Sequence, residues 1–182
     1  RAIFRKQSNV RVLIGNILFI DKDKKVVKVK RSNQAFKYDY LIMAVGARHA
    51  YFGHPEWEKF AWGLKTIKDS LKIRERMLYS FEKAERTRFE EKRKRYSTFV
   101  IVGAGPTGVE MAGAIAELTQ KTLLKDFREF KSETSRIILI EGSDRVLNSY
   151  AACLSEKAKK DLENLGVEIR LNAFVTNVTK DG

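Results

Sequence analysis

A glycine-rich turn between an apolar run and a helical pattern constrains the fold of this chain most. Residues 98–102 (TFVIV) form a short continuous apolar run, which is typical of a parallel strand covered on both faces. Gly103, Gly105 and Gly108 follow with the spacing G-x-G-x-x-G, and a helical pattern extends over residues 106–118. This order predicts a βαβ unit in an α/β fold built on a parallel sheet.

Each residue of the turn has a physical reason for its place. Gly103 permits the tight turn out of the strand, Gly105 lets the backbone approach a pyrophosphate, and Gly108 lets the helix pack closely on its strand. Pro106 suits the first helical turn because no N–H is lost there. With Thr107 it lies at a helix N-terminus, whose free N–H groups and positive dipole end attract phosphate. The turn therefore predicts a dinucleotide-binding site.

The next apolar run (residues 137–140) ends at an acid, Glu141, followed by Gly142. A carboxylate at this place accepts hydrogen bonds from the adenosine ribose hydroxyls and repels a 2′-phosphate, so the sequence predicts NADH rather than NADPH. Glu141 lies 33 positions beyond Gly108, whereas the simple fingerprint expects about 20. An insertion at residues 119–135 explains the excess.

Glu110, one turn into the predicted helix, has two interpretations. It is either an ordinary acid favoured by the helix dipole or a carboxylate with a separate task, such as accepting hydrogen bonds from the nicotinamide amide. A carboxylate beside a phosphate site is electrostatically unfavourable, which argues for the second interpretation. The residues alone leave the two in balance.

Hydrophobic periodicity organises the rest of the chain. Strands are expected at residues 10–20 and 25–31, joined as a hairpin by the polar turn 21–24, and a buried strand is expected at residues 38–45. Thr66 and Asp69 predict a capped helix that leads into a charged segment ending near Arg95. Towards the end of the chain we expect a helix capped by Ser155 and ended by Gly166, then strands at residues 167–171 and 174–178.

Seven of the basic residues that contribute to the formal net charge of +13 lie in residues 83–95. Acidic residues interrupt this basic segment, which favours a solvated helix with i,i+4 ion pairs over an anion-binding surface. No nucleic-acid-binding signature accompanies the charge. The single cysteine, Cys153, excludes an internal disulfide and a Cys-x-x-Cys redox pair, and neither histidine has a supporting set of metal ligands.

These motifs resemble the pyridine nucleotide-disulfide oxidoreductase superfamily, and within it the type II NADH dehydrogenases (NADH:quinone oxidoreductases). The resemblance rests on residues 98–113 (TFVIVGAGPTGVEMAG), residues 140–147 (IEGSDRVL), residues 38–47 (YDYLIMAVGA) and the insertion before residue 137. It covers nearly the whole chain.

The resemblance implies an NADH domain inserted into an FAD domain. Residues 1–64 then belong to a partial FAD-binding domain with a β-hairpin or meander, residues 65–96 form a connecting helical segment, and residues 97–182 form a Rossmann-like NADH-binding domain. It further implies a backbone contact from Ile17 to the flavin adenine. It also places Glu110 near nicotinamide and flavin, which favours a catalytic role, and it places the turn Val45, Gly46 and Ala47 beside the flavin.

The implied activity of the parent protein is hydride transfer from NADH to FAD, with electrons passing on to a membrane quinone. The absence of a cysteine pair agrees with this route. The parent protein is then expected at a membrane periphery, on the cytoplasmic face or in mitochondria, and a homodimer is compatible with it, whereas nucleic acid is not an expected partner. Because the chain starts with Arg1 and lacks the flavin glycine fingerprint, we expect an internal fragment that is inactive alone.

Two alternatives stay open at this point. One is a related NADH-dependent FAD reductase whose acceptor is an iron–sulfur protein or a soluble quinone. The other is a non-catalytic dinucleotide-binding module whose basic helix docks on anionic partners.

Overall fold

A computed structural model describes residues 2–30, 34–46, 49–123 and 125–180. The chain divides into two compact units, Arg1–Arg48 and His49–Gly182, and each is described by itself. The domain boundary expected near residue 64 stays a prediction.

The first unit contains a three-stranded antiparallel sheet in the order β1-β2-β3. Its strands are β1 (Ile17–Asp21), β2 (Val26–Val29) and β3 (Ala35–Lys37). The turn between β1 and β2 closes because the Asp21 carboxylate accepts hydrogen bonds from the N–H groups of Asp23 (3.1 Å) and Lys24 (2.9 Å). The predicted hairpin is confirmed, and β3 extends it to a meander.

Two expectations for the first unit are wrong. Residues 10–16 have no regular structure, so the first strand begins only at Ile17. Residues 38–45 form no strand and are largely exposed, with Tyr40 at 94% and Ile42 at 89%. A strand buried on both faces needs neighbours to pair its N–H and C=O groups, and no described strand pairs with residues 38–45.

The second unit contains a parallel sheet in the order β4-β5-β6, as predicted for the α/β fold. Its strands are β4 (Thr98–Val102), β5 (Arg136–Ile140) and β6 (Val167–Arg170). Val102 pairs with Ile140, and Ile140 pairs with Arg170. The carboxyl ends of all three strands therefore meet at one edge, where ligands bind in open α/β sheets.

The second unit also contains helices α1 (Ile67–Arg86), α2 (Glu90–Tyr96), α3 (Pro106–Glu117) and α4 (Ala152–Asn164). The predicted start of α1 is confirmed, because Thr66 and Asp69 form a reciprocal capping box. A short π-helical stretch and two 3₁₀ turns complete its helical structure: Leu118–Thr122, Pro55–Lys59 and Ser132–Thr134.

The insertion predicted at residues 119–135 packs against the core of this unit. Phe81 of α1 is fully buried, and its ring lies 5.2 Å from Phe99 on β4 and 5.8 Å from both Phe127 and Phe130 of the insertion, measured between ring centroids. One turn further along α1, the Glu85 carboxylate accepts hydrogen bonds from the N–H groups of residues 128, 129 and 130 at 2.8 to 3.1 Å. Residues 127–130 of the insertion thus pack against α1 and belong to the core of this unit.

Two expectations for the last third of the chain are wrong. Ser155 lies inside α4 and Ala151 is at the N-cap position; the buried Ser155 hydroxyl instead donates to the carbonyl oxygen of Val146. Residues 174–178 form no strand. Gly166 does end α4, with φ +76°, as its position after the helix predicts.

Candidate dinucleotide-binding site

The glycine turn leaves the carboxyl end of β4 and leads directly into α3. Gly103 has φ +95°, a conformation that L side chains rarely adopt, and its N–H donates to the carbonyl oxygen of Ile140 at 2.8 Å. The turn is therefore fixed to the neighbouring strand β5, and a glycine is needed at this position.

Gly108 and Gly105 differ in their surroundings. A Cβ on Gly108 would overlap the carbonyl oxygen of Gly103, whereas a Cβ on Gly105 would meet no atom within 4 Å. The first helical turn thus packs against the glycine turn at Gly108. In contrast, the surface above Gly105 is open, and a bare backbone there leaves room for a ligand to approach.

The N-terminus of α3 has unpaired backbone donors. Gly105 is the N-cap without a side-chain cap, Pro106 is at the first helical position, and the first main-chain bond runs from Val109 N–H to Gly105 C=O at 3.0 Å. Within the part of the chain that the structure describes, the N–H groups of Gly105, Thr107 and Gly108 have no hydrogen-bond partner. Such a helix end attracts anions through its free donors and its dipole.

Glu141 follows β5, and its carboxylate is bonded to the glycine turn. Oε2 accepts from the N–H of Ala104 at 2.6 Å, and Oε1 accepts from both the N–H and the hydroxyl of Ser143 at 2.9 Å. Partial burial raises the pKa of Glu141, but hydrogen bonds, above all those from Ala104 and Ser143, outweigh it and hold the pKa below its ordinary value. The carboxylate is therefore ionised at neutral pH.

Sequence reasoning found Glu141 but missed its bond to Ala104. The two residues are 37 positions apart, and they meet only because β4 and β5 are paired in register. Ser143 was missed as well, although a serine two residues after an acid is a common local hydrogen-bond partner.

The remaining predicted residues of this unit lie in different surroundings. Glu110 is exposed on α3, and its carboxylate has no hydrogen-bond or ion-pair partner among the described residues. Gly142 lies next to Glu141 at the sheet edge, against the ring of Phe174. The structure therefore brings the glycine turn, Glu141 and Gly142 together at the carboxyl edge, with Glu110 one helical turn along α3.

The predicted flavin-side residues belong to the first unit. Ile17 is the first residue of β1, Val45 is 82% exposed, and Gly46 has φ +74°. Ala47 lies outside the described residues.

Comparison with known sequences defines the class of this protein. The sequence profile of the pyridine nucleotide-disulphide oxidoreductases matches residues 1–182, and the chain belongs to that family.

Two curated proteins of the same family are similar to this chain over most or all of its length. The chain is 45% identical to the type II NADH:quinone oxidoreductase Ndh of Mycobacterium tuberculosis, over all of this chain and 40% of that protein. It is 35% identical to the external alternative NAD(P)H-ubiquinone oxidoreductase B2, mitochondrial, of Arabidopsis thaliana, over 79% of this chain and 25% of that protein. The chain thus spans at most about 40% of the length of these two relatives.

A solved structure is also similar to this chain in fold. NDH2 from Plasmodium falciparum in complex with NADH matches with a TM-score of 0.75 and 28% identity, over 92% of this chain and 35% of that one. Among the described residues of the present structure, no helix is both long and apolar enough to cross a membrane.

Proposed function

We propose that the whole protein is an FAD-dependent NADH:quinone oxidoreductase and that this chain carries its NADH-binding site. The observation that carries the proposal is the glycine turn with unpaired N–H groups at the start of α3, bonded through Ala104 to an ionised Glu141. The 45% identity to a bacterial type II NADH:quinone oxidoreductase supports the assignment of the reaction.

The pyrophosphate is assigned to the N-terminus of α3. The N–H groups of Gly105, Thr107 and Gly108 are free to donate to phosphate oxygens, and the helix dipole adds to the attraction. Pro106 removes no donor that this site needs. The open surface above Gly105 is the space that the pyrophosphate occupies in this proposal.

The adenosine ribose is assigned to Glu141. A carboxylate offers about four acceptor positions, and three are used by Ala104 and Ser143. One position on Oε2 is left for a ribose hydroxyl. Since Glu141 is ionised, a 2′-phosphate on the same ribose would be repelled, so the proposal includes a preference for NADH over NADPH.

The nicotinamide end of NADH is assigned to Glu110, and the flavin is assigned to residues of the first unit. Bound FAD would supply the acceptor for the hydride of NADH and the relay of electrons to the quinone. Glu110 has a free carboxylate that can accept a hydrogen bond from the nicotinamide amide. The residues proposed to line the flavin are Ile17, Val45, Gly46 and Ala47. The resemblance of the surrounding sequence to the family supports this part of the proposal.

Titration with both dinucleotides tests the binding site. Calorimetry of the 182-residue chain should show tighter binding of NADH than of NADPH. Glu141→Gln should weaken NADH about 10- to 100-fold, the scale of hydrogen bonds to a charged acceptor, and reduce the preference. The control is Glu163→Gln, an exposed acid on α4 paired with Lys159, which should change neither affinity. Equal affinity for NADH and NADPH would contradict the proposal, and so would the absence of binding of either dinucleotide.

The acceptor and the location concern the whole protein. The names of the relatives support a quinone acceptor, and one of them names a mitochondrial protein. A peripheral place at a bacterial or mitochondrial membrane is part of the proposal; a homodimer is compatible with it, and nucleic acid has no part in it. NADH-dependent reduction of a ubiquinone analogue by the whole protein tests the acceptor. Reduction of an iron–sulfur protein or a soluble quinone alone would favour the first alternative.

One observation favours a second function for the basic segment. A groove of about 550 Å³ at the α1–α2 bend is lined by the cations Lys83, Arg86, Arg88 and Lys92 and by the single acid Glu82, with aromatic rings between them. Lys83 Nζ lies 4.5 Å from the Tyr79 ring centroid. This cation–π contact holds the Lys83 ammonium group in the groove.

Such a groove fits an anionic partner, as the docking-module alternative requires. Binding of the chain to vesicles with acidic headgroups should then weaken steeply with salt and be lost in an Arg86→Gln, Arg88→Gln double variant. Salt-independent binding, or none, would contradict this second function.

A further inference from the structure

An exposed phenylalanine is fixed at the carboxyl edge of the parallel sheet. Phe174 lies four residues beyond β6 and is 78% exposed. The two residues before it are bonded to the loop after β5: Asn172 N–H donates to Ser143 C=O at 2.9 Å, and Ala173 N–H donates to Glu141 C=O at 3.0 Å. The backbone therefore determines where the ring of Phe174 lies.

The ring packs directly on Gly142. A Cβ built on Gly142 would lie 2.6 Å from Cε1 and 3.0 Å from Cζ of Phe174, so the ring occupies the space that any other side chain at position 142 would take. This contact covers only a small part of the ring. A phenylalanine held in place but left so exposed adds little to the core, because its apolar surface remains in water.

From this arrangement we infer that Phe174 forms an aromatic wall on which the adenine base stacks. The inference rests on the proposed function, in which Glu141 binds the ribose that carries this base. A base is bonded directly to its ribose, and Phe174 is bonded through Ala173 to the backbone of Glu141, so base and ring occupy neighbouring positions. Every base offers a π face to an aromatic side chain, and such a stack strengthens binding substantially.

Gly142 gains a specific role in this arrangement. Its missing side chain leaves room for the Phe174 ring beside the backbone next to Glu141. Gly142→Ala should displace the ring without removing it, because the new methyl group would occupy the same space. The two residues are thus expected to act as one unit, and combining their substitutions should cost no more affinity than the Phe174 substitution alone.

The experiment measures the affinities of NADH and ADP-ribose for the 182-residue chain and its variants by calorimetry. Phe174→Leu keeps an apolar side chain but no π face, and Phe174→Tyr keeps the ring. We expect Leu to weaken both ligands about 10-fold, in line with one base–aromatic stack, and Tyr to bind nearly as the parent does. The control is Phe52→Leu, another exposed ring (84%), which lies before α1 and should change neither affinity.

The outcomes separate this inference from the proposed function. If the unmodified chain binds neither ligand, the proposed function fails and the inference fails with it. If the unmodified chain binds NADH and the affinity of Phe174→Leu for NADH is equal or higher, only the inference fails. Weakening of NADH without weakening of ADP-ribose also overturns it, since ADP-ribose contains the adenine. Far-UV circular dichroism confirms that each variant is folded.

Discussion

Gly105 and Gly108 lie three residues apart in the same turn, but the space around the two residues differs. A side chain on Gly108 would collide with the backbone carbonyl of Gly103, whereas a side chain on Gly105 would enter open space. Gly105 also has φ −71°, which any L residue can adopt. In the proposed function, Gly105 therefore serves the ligand, whereas Gly108 serves the fold.

This difference makes a matched pair of alanine variants informative. Gly108→Ala should lower the free energy of unfolding by about 3 kcal/mol, the upper range for overpacking, as measured by urea denaturation. Gly105→Ala should leave stability within about 0.5 kcal/mol of the parent while weakening NADH at least 10-fold, because its methyl group enters the proposed pyrophosphate space. Equal effects of the two variants on stability, or NADH binding unchanged in Gly105→Ala, would contradict the assignment.

Glu110 is the residue proposed to bind the nicotinamide end of NADH. If its carboxylate accepts a hydrogen bond from the nicotinamide amide, Glu110→Gln should weaken NADH but leave ADP-ribose unchanged, because ADP-ribose has no nicotinamide. Calorimetric titration with both ligands measures this difference. Glu117→Gln, an exposed acid later on α3 that pairs with Lys121, is the control. Loss of ADP-ribose affinity in Glu110→Gln would show a general electrostatic effect instead.

At the scale of single residues, the sequence identified the turn and its acid but not their connection. Gly103, Gly105, Gly108 and Glu141 follow a local spacing that can be read directly. The bond from Ala104 N–H to the Glu141 carboxylate depends on the register of two strands, and no local pattern specifies that register.

Among the elements, the insertion between α3 and β5 has an unusual anchor. The Glu85 carboxylate on α1 accepts hydrogen bonds from three successive N–H groups, those of residues 128–130. Partial burial raises the pKa of Glu85, but these bonds and the charge of Arg93 outweigh it, so its pKa is lowered. A carboxylate with a lowered pKa stabilises the fold only while it is ionised.

The anchor gives a pH-dependent prediction. At neutral pH, Glu85→Gln should lower the free energy of unfolding by about 1 to 2 kcal/mol. The stabilisation is complete above the unfolded-state pKa of about 4.3 and is lost as the pH falls through the lower folded-state pKa. Urea denaturation of parent and variant should therefore show a difference that shrinks below that pH. Glu82→Gln, one turn earlier on α1, is the control; a difference that stays constant with pH would contradict the anchor.

Elements with a strong local pattern were predicted, and those that depend on distant partners were not. The strand at residues 98–102 and the capping box at Thr66 contain their own signals in periodicity and side-chain chemistry. Residues 38–45 are apolar enough for a buried strand, but strand formation requires a paired neighbour. Ser155 has the chemistry of an N-cap, yet its hydroxyl bonds to the distant Val146 carbonyl instead.

For the molecule as a whole, family membership follows from the profile match over residues 1–182, and the reaction is a proposal. The chain spans about 40% of its bacterial relative. Its two units separate the proposed roles: the unit from residue 49 onward contains the glycine turn, Glu141 and Phe174, and the first unit contains the residues assigned to flavin.

The central claim is that NADH binds across the glycine turn and the acid that follows β5. The amide chemical shifts of the ¹⁵N-labelled chain, recorded during titration with NADH, test it most directly. We expect the largest changes at the amides of Ala104, Gly105, Thr107, Gly108 and Gly142. Binding of NADH with these amides unchanged, and with the largest shifts at the α1–α2 groove instead, would contradict it.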